Sequence, residues 1–500
     1  MKKVFLILIL ASSFGVFAQV PSDALRLSSY YGYGSARMVS MGGAFGALGS
    51  EFSSLSYNPA GLGVFRSSEF SFTPSLKIRN DRAEYLNSAY TDSRSKVFID
   101  NFGLVGTFNK IGGDDEKGLI RLNFGIGYNR LNDFYSETTA LGENTSNSIM
   151  NLFASSVQGY KPSDIDSFSD ANRDVWTSIM AWYTYLINPD EDLLVAGGDT
   201  LDYVRALNPG DGVYQDQSIS SMGGMGEYTF SLGANISNSL YLGATVGVQD
   251  VYYESNVYYT EEAFRSNQPL PNTDLFQSLN YNQSLLITGA GYNFKVGAIY
   301  RPLPALRLGF AVHTPTFYNI SEEYFETMKS QLSNRVVSDE TPANLYDYTI
   351  ESPYKLIGSV AYTFGTKALV SVDYEFIDYA KMRFGKGGDG YKFTPENQAI
   401  KSNYKSTFNL KTGAEYWIGS LALRAGYAYY GSPYVDGNPF AASHTDVFSG
   451  GFGLVINSIT LDWAYQRLQF NDKYKPYLTA TNVHREVSQD RFVFTIGYKF

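Results

Sequence analysis

The sequence contains no cysteine, only 3 histidines and only 18% charged residues among its 500 positions. Without cysteine, disulfides, thiolate catalysis, cysteine-ligated metals and a lipoprotein anchor are excluded. So few histidines argue against a histidine-rich metal site. Beyond the N-terminus no stretch offers 18 continuous apolar residues, which excludes membrane helices. The formal net charge of −10 with no basic run argues against nucleic-acid binding. We therefore expect no metal, no cofactor and no nucleic-acid partner.

The composition is instead rich in aromatic residues and glycine. Aromatics make up 16% of the chain, with 41 Tyr and 34 Phe, and glycine occurs 47 times. Lys2 and Lys3 precede an apolar run over 4–10, and Ala18 provides a small residue before Gln19. This pattern predicts a secretory signal peptide over 1–18. Exported chains rich in Tyr, Phe and Gly are typical of membrane β-barrels, whose aromatic girdles lie at the lipid interfaces.

A period of two dominates the chain from residue 69 onward. Ile120, Leu122, Phe124 and Ile126, for example, alternate with small or polar residues. Such alternation gives a strand one apolar and one polar face. It predicts fourteen strands, at about 68–78, 98–109, 119–131, 222–236, 240–256, 285–300, 305–318, 354–365, 367–380, 404–417, 420–430, 444–457, 459–470 and 488–500.

The joins between these strands alternate between short and long. Bacterial outer-membrane barrels have an even strand count, short periplasmic turns and longer outer loops. The sequence therefore predicts an all-β fold: a 14-stranded antiparallel transmembrane β-barrel over 68–500, with both termini in the periplasm. In the longest loop, 132–221, helical spacing predicts helices over 147–157 and 172–187.

Residues 30–64 are dense in glycine and small residues and precede the first strand. Within them GSARMVSMGGAFGAL, followed by NPAGL, resembles the start of the FadL/TodX outer-membrane transporters of hydrophobic compounds. The resemblance implies that 19–67 form a hatch plugging the barrel, with Asn58, Pro59 and Ala60 as its motif. It also implies ligand release sideways near the third strand, where Gly125 and Gly127 are compatible with a kink or with inward-facing space for the hatch.

Charged residues suggest how the hatch is held. Arg37 is the only base and Glu51 the only acid within 30–64. Arg37 is therefore a candidate for binding a ligand carboxylate or for carrying a hatch charge. Alternation places Asp373, Glu375, Lys411, Glu415 and Arg424 on inward faces, where we expect a structural ion network rather than acid–base catalysis.

The resemblance implies an outer-membrane channel for energy-independent uptake of hydrophobic small molecules, either long-chain fatty acids or aromatic hydrocarbons, past a movable hatch. The expected partners are outer-membrane lipid, the hydrophobic ligand and, from the terminal Phe500, the barrel-insertion machinery. We expect a monomer that is not an enzyme. Two alternatives remain open: an adhesive or structural barrel that binds a partner through its long loop, and an outer-membrane hydrolase using Ser443 and His444, which lack a defined motif.

Overall fold

The computed structural model describes residues 21–109, 117–169, 174–190, 202–208, 210–264, 275–438 and 444–500. The predicted signal peptide and Ser443 lie outside them. The helices are α1 Pro21–Arg26, α2 Ala36–Ser40, α3 Ile149–Ser156, α4 Trp176–Tyr183 and α5 Thr394–Asn403. The strands are β1 Glu69–Tyr85, β2 Ser88–Asn109, β3 Leu119–Asp133, β4 Ser136–Asn144, β5 Ile187–Pro189, β6 Tyr203–Arg205, β7 Gly212–Ile236, β8 Leu240–Phe264, β9 Phe276–Leu303, β10 Leu306–His313, β11 Phe317–Leu332, β12 Val336–Glu340, β13 Asn344–Glu351, β14 Lys355–Phe364, β15 Ala368–Asp378, β16 Arg383–Phe384, β17 Ser406–Ile418, β18 Leu421–Tyr430, β19 Thr445–Ile456, β20 Ile459–Tyr474 and β21 Val483–Lys499.

The strands form one closed antiparallel barrel with 14 positions around its wall. We call each position a stave, which consists of one strand or of two consecutive strands. Most staves are single strands, but β3 continues into β4, β10 into β11, and β13 into β14. The last strand, β21, pairs with β1 and closes the ring. The fourteen predicted strands therefore all exist. Two-residue turns with positive φ, such as Ser237–Asn238, connect neighbouring strands tightly, as hairpin turns of the I′ type do.

Burial in the barrel is the reverse of that in a soluble protein. On β7, Phe230 and Leu232 are 46% and 61% exposed, whereas the intervening Thr229 and Ser231 are almost fully buried. Aromatic pairs such as Phe102–Tyr128 and Tyr374–Phe408 stack on the outer face. An apolar outer surface with aromatic side chains around a polar interior fits lipid outside the wall. Within the described residues, no helix is both long and apolar enough to span a membrane.

The strands reach further outward than the sequence predicts. The first two predicted strands extend towards each other into one hairpin, with Leu86 and Asn87 in its turn. The predicted loop 132–221 is shorter, because its ends belong to β3, β4 and β7. Its two predicted helices are present as α3 and α4, which pack with β5 and β6 in one apolar cluster at the outer end.

A second apolar cluster fills the lumen below this cap. Ala24 and Leu27, from α1 and the residue after it, contact Phe393 and Ile400 at α5. Inward residues from β7, β8, β9, β11, β13 and β15 surround them. The connection between β15 and β17, predicted as an outer loop over 381–403, therefore folds back onto the N-terminal residues inside the barrel.

Candidate functional site

Residues 21–65, which we call the N-terminal segment, lie inside the barrel. Asn58 is 1% exposed and organises the turn of the predicted motif. Its Oδ1 accepts a hydrogen bond from the Ala60 amide (3.1 Å), and its Nδ2 donates to the Gly46 carbonyl (2.5 Å). Pro59 follows as the first residue of a 3₁₀ turn, a position that needs no N–H donor. The side chain of Asn58 thus joins two parts of the segment.

The barrel wall is recessed where this turn lies against it. Gly233, Gly243 and Gly297 are register partners on β7, β8 and β9. A Cβ atom on Gly243 would lie 2.2 Å from the Pro59 carbonyl, and one on Gly297 would lie 1.9 Å from the Asn58 Oδ1. Only glycine permits so close an approach of two backbones. The wall is therefore shaped to receive the turn.

The third strand shows no register irregularity at Gly125 and Gly127. The β2–β3 ladder keeps its register through both residues, and the irregularities of the β3–β7 ladder lie between Leu119 and Arg121 and between Arg130 and Asn132. A Cβ on Gly127 would lie 2.5 Å from the Phe52 ring, and one on Gly125 would lie 3.0 Å from Leu55. These glycines leave space for Phe52 and Leu55 of the N-terminal segment.

Arg37 fastens the segment to the wall. Its Nε and Nη2 atoms donate hydrogen bonds to both carboxylate oxygens of Glu415, at 3.0 and 3.1 Å. Arg424 also pairs with Glu415 (2.6 Å) and reaches Asp462 (2.5 Å). Burial raises the pKa of the Glu51 carboxyl, while the nearby Arg37 opposes that shift. The predicted ion network is present, and it occupies Arg37, so a ligand carboxylate would have to compete with Glu415.

The other predicted inward charges also hold the segment or each other. Asp373 accepts a hydrogen bond from the Gly46 amide (2.8 Å), and Lys411 pairs with Glu375 (3.2 Å). His313 donates through Nε2–H to the Tyr57 carbonyl (2.7 Å). His444 instead lies half-exposed beside Asp446, at the edge of the described residues.

Between the N-terminal segment and the wall lies a cavity of about 90 Å³. Its lining mixes polar and apolar side chains and includes three lysines, Lys295, Lys355 and Lys411. Lys295 pairs with Glu227 (2.5 Å) and Lys411 with Glu375. Lys355 differs from both, because no carboxylate among the described residues lies within 4.0 Å of its Nζ, which lies 3.9 Å from the Tyr30 ring centre.

Burial raises the pKa of the Tyr30 phenol. The ring therefore faces Lys355 as a neutral π surface, which attracts a cation. Sequence analysis did not identify Lys295 and Lys355 as lumen residues. Alternation alone would have found Lys295 between the outward-facing Phe294 and Val296, whereas Lys355 begins its strand and resembles an exposed strand end.

The lining reaches the wall at Asn129, Arg130 and Leu131, where β3 loses β2 as its ladder partner. The cavity therefore lies between Tyr57, the three lysines and the part of β3 that no longer pairs with β2. Among the described residues no group of His, Asp and Glu could hold a metal ion.

Comparison with known proteins gives structural neighbours only. No family model matches the chain, and no curated protein matches its sequence. A Pseudomonas aeruginosa FadL homologue is 12% identical, with a TM-score of 0.55, covering 95% of this chain and 100% of that one. A TodX monoaromatic hydrocarbon channel mutant is also 12% identical, with a TM-score of 0.51, covering 94% and 100%.

The structural likeness to these two neighbours extends over nearly the whole chain. The predicted fold is confirmed. The chain is a β-barrel of the outer-membrane type, with the fold of the FadL and TodX channels.

Proposed function

We propose that this protein is an outer-membrane channel for diffusion of hydrophobic small molecules that carry one anionic head group. The FadL-type fold supports a channel for apolar ligands. The anionic head is favoured by one observation, the Lys355 ammonium, which faces the cavity with an aromatic ring but without a carboxylate within ion-pair distance. Long-chain fatty acids fit this description better than aromatic hydrocarbons do.

The alkyl chain and the anionic head of such a ligand contribute differently to its binding free energy. Each buried CH₂ group stabilises a bound chain by about 0.8 kcal/mol, so an alkyl chain supplies most of the affinity. A charge-assisted hydrogen bond from a buried ammonium adds about 1.5–3 kcal/mol and fixes the orientation of the head. Because Lys295 and Lys411 already have carboxylate partners, we assign this bond to Lys355.

The N-terminal segment is the movable part in this proposal. The cavity of about 90 Å³ is too small for a whole long-chain fatty acid. Tyr30 and Tyr57 form part of its lining and belong to the segment. Binding therefore requires these residues to shift, and a carboxylate that takes Lys355 would remove the cation from the Tyr30 ring.

Binding to purified protein tests the head-group assignment. A long-chain fatty acid and its methyl ester have the same chain, and only the acid carries a charge. We expect the acid to bind more tightly than the ester, and we expect Lys355→Gln to remove that difference. Lys367→Gln, which changes an exposed lysine in a short turn, is the matched control and should bind like the parent.

Equal affinity for acid and ester in the parent would contradict the anionic head and leave neutral hydrocarbons as the ligand class. Absence of binding for both compounds would contradict the channel proposal. That result would favour the alternative of an adhesive or structural barrel that binds a partner through its long loop. Removal of residues 145–215 or so should then abolish partner binding.

A further inference from the structure

Three arginines lie at the end of the barrel opposite α3 and α4, which we call the inner end. At this end β1 begins and β9 turns tightly into β10. Arg66 directly follows the N-terminal segment, Arg301 lies near the end of β9, and Arg307 is the second residue of β10. We call these three residues the inner arginines. They stand out because the chain as a whole is acidic, with a formal net charge of −10.

Arg307 holds the N-terminal segment but keeps a free donor. Its Nη1 donates a hydrogen bond to the Leu48 carbonyl (2.7 Å). It shares the inward face of β10 with Gly309, since Leu308 between them is exposed on the outer face. Its Nε is buried and has no hydrogen-bond partner among the described residues. A buried charged donor without an acceptor is costly, so this guanidinium favours binding of an acceptor from outside the chain.

The charges around Arg307 set it apart from other arginines inside the barrel. Those that pair with a carboxylate include Arg26, Arg37, Arg424 and Arg491. Among the described residues, no carboxylate forms an ion pair with Arg307. The charged side chains that act most strongly on its guanidinium are Arg301, Arg37 and Arg66, which are all cations. Because Arg37 already has a carboxylate partner, the inner arginines form an uncompensated positive cluster, which attracts an anion.

The inner arginines lie where both water and lipid head groups have access. Arg66 is exposed. Arg301 donates to the Pro304 carbonyl at 3.1 and 2.8 Å within an exposed turn. Tyr300 and Leu303, beside this turn, are exposed and apolar, as expected at the edge of the lipid-facing band. The polar head groups of a bilayer lie directly beyond its hydrocarbon core.

We infer that the inner arginines form a binding site for a phosphate group, supplied either by inorganic phosphate or by the head group of a phospholipid. The planar fork of a guanidinium matches the oxygens of phosphate, and charge-assisted hydrogen bonds of this kind are short and strong. Since Arg307 is also bonded to Leu48, the bound anion strengthens the attachment of the N-terminal segment to the wall. The inference does not depend on which hydrophobic ligand the protein carries.

Calorimetric titration of the delipidated protein with inorganic phosphate tests the free ion as the source. We expect the parent to bind phosphate, and we expect Arg307→Gln to bind it about tenfold more weakly or worse, because a charge-assisted hydrogen bond is lost. Lys367→Gln is the matched control, since it removes one positive charge from an exposed turn at the same end and should bind like the parent. Arg301→Gln leaves the contact with Leu48 in place and should also weaken binding, so the result does not depend on how well Arg307→Gln folds.

Native mass spectrometry of protein extracted from membranes tests the lipid head group as the source. In that case the parent and Lys367→Gln should retain a phospholipid, and Arg307→Gln and Arg301→Gln should lose it. A loss confined to one of the two assays would identify the source and support the site. The inference would be overturned if phosphate binding and phospholipid retention were both absent, or both the same in the parent and the two arginine variants. Neither assay involves a fatty acid, so failure of this inference is distinguishable from failure of the proposed function.

Discussion

At the scale of single residues, the lumen is defined by close approaches and satisfied charges. Asn58 bonds within the N-terminal segment, and Gly243 leaves the space that its turn fills. The importance of Asn58 followed from the motif, because an amide beside proline suits a turn. The alignment of Gly233, Gly243 and Gly297 across three neighbouring strands could not be predicted from the sequence, because it depends on where each strand begins.

We expect Asn58→Asp to loosen the N-terminal segment. Aspartate retains the acceptor for Ala60 but loses the donor to Gly46 and buries a charge. Loss of one buried hydrogen-bond partner costs about 1–3 kcal/mol. Protease cleavage within residues 30–64 of the folded protein should therefore become faster. Unchanged cleavage would show that the side chain does not hold the turn.

Gly243→Ala should displace the turn from the wall, because the new Cβ would meet the Pro59 backbone at 2.2 Å. We expect entry of a small hydrophilic sugar to increase. Gly358→Ala is the control, since its Cβ would meet no atom within 4 Å. Sugar entry that stays at the parental rate in both variants would mean that the segment remains seated without the glycine recess.

At the scale of elements, alternation predicted the membrane part of the strands and missed their outer extensions. Within the membrane, apolar residues must face lipid, so the period of two is strong. Beyond it both faces meet water or polar side chains, as in residues 79–97, and the pattern fades.

The attachment of α2 to the wall gives an asymmetric prediction. Glu415→Gln leaves Arg37 without a carboxylate, whereas Arg37→Met leaves Glu415 paired with Arg424. Breaking a buried pair from the side that orphans a charge costs about 3–5 kcal/mol, and less where a partner remains. Thermal unfolding in detergent should therefore show the larger loss for Glu415→Gln. The reverse order would contradict a wall-bound Arg37.

At the scale of the whole molecule, an apolar exterior surrounds a lumen that is polar around the N-terminal segment. The sequence predicted the barrel, its strand count and the inward ion network. It did not predict the lysine-lined cavity or the infolded connection at α5, because both depend on contacts between distant segments. Under the proposed function, an apolar ligand must therefore displace packed residues, and its anionic head meets Lys355.

Uptake of a labelled long-chain fatty acid by cells lacking their own transporter tests this account most directly, with a small hydrophilic sugar as control. We predict faster fatty-acid entry when the protein is present, and no change for the sugar. Faster sugar entry would mean an open pore and an N-terminal segment that does not seal the lumen. No change in fatty-acid entry would contradict the proposed channel.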